Sequence, residues 1–283
     1  MSTYHVPVLL QSVCTLLDVK PGRKYIDATL GGGSHTAALL KMGGNILGID
    51  QDPDSIAEAL QPALASAQAT RQFIPVRSNF IHLAEIVKNH NWQPLWGVLF
   101  DLGVSFHQLK TPQRGFSFQS VGPLDMRMDP DLPNTAATLV NILTAKQLGL
   151  IFRQYGEEPA AMAIAKKIID NRPINSTDGL ARLLRDSHQR RRVFQALRIA
   201  VNDELTALSN SLPQAFSLLE KGGRLVVISF HSLEDNIVKE NFSDWEKSGQ
   251  AKSLTEGPVL PAARETQENP QSKSAKLRAI IKI

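Results

Sequence analysis

Asp27, Asp50 and Asp101 each close a short apolar run, and the run Gly31-Gly32-Gly33 follows the first of them. A carboxylate at a strand end can accept the hydroxyl protons of a ribose. Consecutive glycines let backbone N–H groups approach a ligand where a side chain would stand in the way. A strand, a glycine turn, a helix and a second acid-tipped strand are what a nucleoside-shaped ligand needs.

The elements that must hold these residues are legible in the hydrophobic pattern. Apolar runs predict strands at 23–28, 45–50, 72–76, 96–101, 224–230 and 277–282. Helical periodicity falls at 34–42, 53–68, 80–90 and 202–220, and Gly222-Gly223 is expected to end the last of these. Alternating strands and helices imply an α/β fold whose parallel sheet is covered on both faces. From about 106 to 202 the alternation stops. A loop rich in Gly, Pro and Ser (114–129) leads into helical patterns at 144–154, 158–171, 177–186 and 190–201. The expected organisation is therefore a discontinuous sheet domain, 1–105 plus 203–283, carrying an all-helical insert over 106–202. The insert leaves the sheet at the carboxyl end of the fourth strand. Ligands bind at that end in open parallel sheets, so the insert is expected to shape a substrate cleft. Residues 248–275, rich in Ser, Gln, Glu, Lys and Pro, read as a long mobile loop.

The ligand can be narrowed further. No Lys-Ser/Thr pair follows the glycines, so the loop is not a P-loop, and its spacing is not a clean G-x-G-x-x-G. Asp27 would repel a pyrophosphate but would suit an ammonium group, such as that of the methionine part of S-adenosylmethionine. Two later strand tips agree with this choice. Phe80 follows the third strand and could bracket adenine, although a core position would also suit it. Asp101 ends the fourth strand, where a helix cap is the other reading.

Composition sets the limits. Apolar residues make up 42% of the 283-residue chain, and no run is long enough to span a bilayer. Met1-Ser-Thr-Tyr-His5 lacks the pattern of a signal peptide. A single cysteine, Cys14, excludes an intrachain disulfide and a multi-cysteine metal site, and a reducing, cytoplasmic setting is expected. The seven histidines show no metal-ligand spacing. Net charge is +4, and Arg182, Arg185, Arg190, Arg191, Arg192 and Arg198 cluster against one acid, Asp186. Such a stretch is either a solvated helix face or a phosphate-binding surface.

Several segments together resemble one family. They are His5-Val-Pro-Val-Leu-Leu10, Tyr25-Ile-Asp-Ala-Thr-Leu-Gly-Gly-Gly-Ser-His35, Asp101-Leu-Gly-Val-Ser105, Arg114-Gly-Phe-Ser-Phe118, Gly122-Pro-Leu-Asp-Met-Arg-Met-Asp129, Tyr155-Gly-Glu-Glu158, Phe194–Leu205, Ser229-Phe-His-Ser-Leu-Glu-Asp235 and Ser274-Ala-Lys-Leu-Arg278. The chain resembles the bacterial 16S ribosomal RNA cytosine-N4 methyltransferases, the RsmH (MraW) family, from end to end. The resemblance implies a class I, Rossmann-like methyltransferase sheet with an inserted helical substrate domain. It also implies S-adenosylmethionine as methyl donor and a cytidine in the decoding region of the small ribosomal subunit as acceptor. The family's cofactor contacts fall on Gly33, Ser34, His35, Asp50, Phe80, Asp101 and Gln108, with no metal and no membrane. The chain departs from the family pattern at Val121, at Pro159-Ala-Ala-Met-Ala163, at His188-Gln-Arg-Arg-Arg192 and at Asn236. The arginines at 190 and 191 are expected to stand in for basic residues that the family carries elsewhere.

The exocyclic amine of cytosine is a poor nucleophile because its lone pair is delocalised into the ring. An acceptor beside it would stabilise the charge that develops on nitrogen. Asp101 is the expected acceptor, with cofactor positioning as its other role. His231 is the second catalytic candidate, although the segment Ser232-Leu-Glu-Asp235 also reads as a helix start, which would make it structural. Arg127 could grip a phosphate or pair with Asp125. Phe116 and Phe118 could stack on a flipped base or pack in a core.

Overall fold

The computed structural model describes residues 7–60 and 62–283. The N-terminal stretch Met1–His5 and the start of the first family-like segment, His5-Val6, lie outside them. The chain opens with α1 (Leu10–Leu17), β1 (Lys24–Asp27), α2 (Ser34–Lys41) and β2 (Asn45–Asp50). It continues through α3 (Pro53–Ala59), α4 (Pro62–Ala69), β3 (Phe73–Arg77), α5 (Leu83–Asn89) and β4 (Leu95–Asp101). Helices α6 (Phe106–Lys110), α7 (Ala136–Ile142), α8 (Ala145–Gly156), α9 (Ala161–Asp170), α10 (Thr177–Arg182) and α11 (Ser187–Asn202) follow. The chain then runs through α12 (Glu204–Leu218), β5 (Leu219–Ser229), α13 (Ser232–Lys247), β6 (Ala251–Ser253), α14 (Ala263–Glu268) and β7 (Lys276–Lys282). No helix of the described residues is long and apolar enough to cross a membrane.

The strands of the described residues form one seven-stranded sheet in the order β3-β2-β1-β4-β5-β7-β6. Strands β1 to β5 are parallel, and β7 runs antiparallel to β5 and to β6. Strand order reverses between β1 and β4. That is the topological switch point, where the carboxyl ends of adjacent strands open a crevice. Asp27 pairs in register with Leu99 and with Gly48, which sets Asp101 one pleat beyond Asp27 on the neighbouring strand.

Alternation along the strands builds two cores. Ile26, Leu47, Ile49, Val98, Phe100 and Val227 pack with α5, α12 and α13 on one face. Tyr25, Ile46, Leu99, Val226 and Ile228 pack with α1, α2, α3 and α4 on the other. Both faces are buried, which is why the strands read as near-continuous apolar runs.

The chain divides into two compact units. One holds the described residues up to Gly103 together with Leu205–Ile283, and the other holds Val104–Glu204. The second unit has its own core, in which Phe152, Ile164, Ile168, Leu180, Val193 and Leu197 meet between helices.

Four local expectations are corrected. The pattern over 53–68 is two helices, α3 and α4. Leu60 closes the first, and α4 starts afresh at Pro62, since a proline in a helix's first turn costs no helix bond. Gly222 and Gly223 do not end a helix. They lie inside β5, where the pairing with β4 slips between Leu219 and Arg224. The segment 248–275 is not a featureless loop, because it contains β6, α14 and a 3₁₀ turn at Pro270–Ser274. Helix α7 is an element that the periodicity does not predict. It begins at a Thr135–Thr138 capping box, in which the second residue is neither Glu nor Gln.

Candidate active site at the sheet switch point

Asp27 is fully buried. It accepts a hydrogen bond from the Thr36 hydroxyl at 2.8 Å and a longer one from the Thr29 N–H at 3.4 Å. Burial raises its pKa to about 7, against the lowering effect of those two donors. Asp50 reaches back into the glycine turn. Its Oδ2 accepts from the Gly31 N–H at 2.8 Å and its Oδ1 from the Asp52 N–H at 2.9 Å. Burial lifts its pKa to about 6.

The turn itself needs glycine. Gly33 caps α2 in the left-handed region, with φ 75°. A Cβ there would stand 2.8 Å from Leu64 Cδ1, the movable end of a side chain, so it is the left-handed backbone that favours glycine. Ser34 then opens α2, half-buried, and His35 points inward from its first turn.

His35 bridges two elements. Its Nε2 lies 3.0 Å from the Val8 carbonyl, and its Nδ1 lies 3.5 Å from Asp101 Oδ2. Asp101 is fixed through its own N–H, which donates to Thr29 Oγ1 at 2.6 Å. Its Oδ1 is buried with no hydrogen-bond partner among the described residues. Desolvation pushes the Asp101 carboxyl well above the usual carboxylate range, and the nearby charges of Asp27 and Glu234 push it the same way.

Phe80 begins the 3₁₀ turn after β3 and sets its ring edge-on to Phe100, with centroids 5.6 Å apart. Asn79 caps that turn through the Ile81 N–H and ties it to Gln51 at 2.9 Å. Gln108 belongs to the other unit. It is buried, and its Oε1 accepts the Ser105 N–H at 2.9 Å in the capping box of α6.

His231 sits at the N-cap of α13. Its Nδ1 faces the Glu234 N–H at 3.4 Å, and its Nε2 lies 3.1 Å from Glu234 Oε1 without hydrogen-bond alignment. Glu234 closes the box by accepting from the His231 N–H at 3.3 Å, and the same oxygen accepts from the Phe230 N–H at 2.7 Å. Both ring nitrogens are therefore turned toward the cap. Thus Asp27, His35, Asp50 and Asp101 are brought together in one crevice of the sheet unit. Thr29, Thr36 and Glu234 belong to its network, yet sequence reasoning does not single them out. Thr29 lies within the Tyr25–His35 segment and Thr36 directly follows it, and only their hydroxyl partners mark them.

The model of the MraW methylase family matches residues 2–283. The chain belongs to the MraW methylase family. Relatives named ribosomal RNA small subunit methyltransferase H agree along the whole length. The one from Thermomicrobium roseum is 45% identical over 100% of this chain and 95% of its own. Those from Carboxydothermus hydrogenoformans and Symbiobacterium thermophilum are 43% and 40% identical, covering 100% of this chain and 99% and 98% of their own.

MraW-like segments away from the crevice have structural work. Arg127 is only partly exposed and is turned back on its own loop. It grips both Asp125 oxygens at 2.8 Å and donates to the carbonyls of Pro130 and Leu132. Gly122 passes so close to Pro112 that a Cβ would meet its carbonyl oxygen at 1.9 Å. Asn202 pins the Met126 carbonyl and the Met128 N–H. Phe116 is buried, and Phe118 packs edge-on against Phe194, so both rings pack on the core of the helical unit. Asp235, in the first turn of α13, binds Arg278 at 2.7 Å and Lys276 at 3.3 Å, which explains why two segments far apart in the MraW pattern occur together.

Proposed function

We propose that this MraW-family protein transfers a methyl group from S-adenosylmethionine to N4 of a cytidine in the small-subunit ribosomal RNA. The observation that carries the reading is family membership over the whole chain, combined with an acid cluster of raised pKa at the sheet switch point. The residues present suit that donor. Three carboxylates, Asp27 buried and Asp50 and Asp101 partly so, all with raised pKa values, favour a ligand that brings positive charge, and they disfavour a pyrophosphate. In this reading Asp50 takes the ribose hydroxyls, and the turn at Gly33, Ser34 and His35 forms the wall of the donor site. Phe80 would lie against the adenine. When bound, the donor supplies an electrophilic methyl carbon on a sulfonium.

Asp101 acts on the acceptor. Its Oδ1, which no donor among the described residues satisfies, accepts an N–H of the target amine. That bond draws the nitrogen lone pair out of conjugation and stabilises charge developing on nitrogen. The same carboxylate receives the proton that the methylated amine sheds. His231 takes no step, because its nitrogens face Glu234. The unit Val104–Glu204 serves the RNA. Arg182, Arg185 and Arg191 are exposed on α10 and α11 or the turn between them, where phosphates can reach them.

Asp101→Asn tests the assignment. It should lower kcat by roughly 10²–10⁴-fold, the range for loss of a general base. Donor affinity measured by calorimetry should stay within about threefold. A large loss of donor affinity with preserved turnover at saturation would make Asp101 a cofactor residue instead.

A further inference from the structure

We infer that His35 is the positioning residue of the acceptor site, sharing a proton with Asp101 and so holding that carboxylate ready to receive the amine proton. The inference rests on the role proposed for Asp101 and assigns that role a partner.

The geometry fixes the ring. A carbonyl oxygen only accepts, so the 3.0 Å contact with Val8 puts a hydrogen on His35 Nε2. The Val8 carbonyl is itself held in place, because the neighbouring Leu9 N–H donates to Glu265 at 2.7 Å. With Nε2 committed, Nδ1 is the nitrogen that gains or loses a proton, and it is the one that faces Asp101 Oδ2 at 3.5 Å. The pair is buried, with side-chain exposures of 6% and 12%. Such separations are common before substrate closes a site.

The surroundings explain why Asp101 needs a partner. Asp27 faces it from β1 and Glu234 from α13, both acidic, and Asp50 on β2 lies behind Asp27. Among these carboxylates a lone buried Asp101 would keep its proton, and a protonated acid cannot accept another. His35, on α2, brings a basic nitrogen to it. The proton path is short. The methylated amine passes its surplus proton to Asp101 Oδ1 as the shared proton moves from Oδ2 to His35 Nδ1. The pair returns to its resting state when the imidazolium loses one proton to solvent.

The decisive test needs no methyl donor. Protein labelled with ¹⁵N-histidine is titrated by NMR, with the His35 ring assigned by its loss in His35→Gln. The expected result is a neutral ring with hydrogen on Nε2 and a titration midpoint that falls in Asp101→Asn, because a carboxylate partner has been removed. A neutral ring with hydrogen on Nδ1, or a midpoint unmoved by Asp101→Asn, overturns the inference.

Turnover supplies the second readout. Gln places an amide nitrogen near the Nε2 position, keeping a donor for Val8 while removing the exchangeable group beside Asp101. His35→Gln should therefore move the acid limb of the kcat profile to higher pH, each unit of displacement lowering turnover on that limb about tenfold. An equal loss at every pH would mark a purely structural histidine and overturn the inference. Full turnover in Asp101→Asn would remove the amine role and leave the pair intact, since the ring titration is read without substrate.

Discussion

The acids at the strand tips are held at a cost to stability. Asp27 and Asp50, with pKa values raised to about 7 and about 6, keep protons in the folded state that an unfolded chain would release near pH 4. The folded state therefore binds more protons across that window, and the contribution of these groups to stability falls as pH rises from about 4 to about 7. Asp27→Asn should accordingly be more stable than the parent at pH 8, by up to about 2 kcal/mol in urea melts, while binding the donor more weakly. A variant less stable at pH 8 would show that the ionised carboxylate is well solvated by Thr36 and Thr29. Conversely, a cationic donor favours the ionised acids and should expel protons on binding. Its affinity should weaken as pH drops below about 7, with proton release detected by calorimetry in buffers of different ionisation enthalpy. Binding that is independent of pH between about 5 and 8 would contradict this. The tips at Asp27, Asp50 and Asp101 are legible in the sequence because each closes an apolar run. The His35–Asp101 contact is not, since it depends on how deeply the first turn of α2 is buried.

Elements position those residues through ties that periodicity does not reveal. The sheet strands are readable because both of their faces are buried, leaving long apolar runs bounded by polar tips. The α3–α4 break, α7 and the structured 248–275 segment are harder to read. Each depends on a cap, a short turn or a contact distant in sequence rather than on a hydrophobic stripe. Asp235 is one such tie. It joins α13, whose cap contains His231 and Glu234, to β7 through Arg278 and Lys276. Asp235→Ala leaves two cations without their partner and should destabilise the protein by about 2–3 kcal/mol in denaturant melts. Asp235→Asn, which retains one acceptor oxygen, should lose less. Equal stability of Asp235→Ala and the parent would show that the tie contributes nothing.

Across the whole molecule, the sheet unit that carries the acid cluster is paired in sequence with a helical unit that carries exposed arginines. Several of those arginines are engaged locally. Arg198 is paired with Glu204, Arg192 lies 3.5 Å from the buried Glu158, and Arg190 donates to the Ala181 carbonyl. Arg182 and Arg185 keep side-chain exposures of 80% and 83% despite neighbouring acids, and Arg191 is also exposed. The basic stretch seen in the sequence thus divides into structural and available charges, a distinction that needs the fold. Replacing Arg182, Arg185 and Arg191 together by Gln should weaken RNA binding and reduce the slope of log K against log salt by about 2–3. An unchanged slope would move the RNA surface elsewhere. The reaction itself can be read directly. Small subunits lacking the modification are incubated with the protein and isotopically labelled S-adenosylmethionine, and the labelled nucleoside is identified by mass spectrometry after digestion. Label should appear in N4-methylcytidine of the small-subunit RNA and accumulate roughly 10²–10⁴-fold more slowly with Asp101→Asn; label on another nucleoside, or on protein alone, would contradict the proposed reaction.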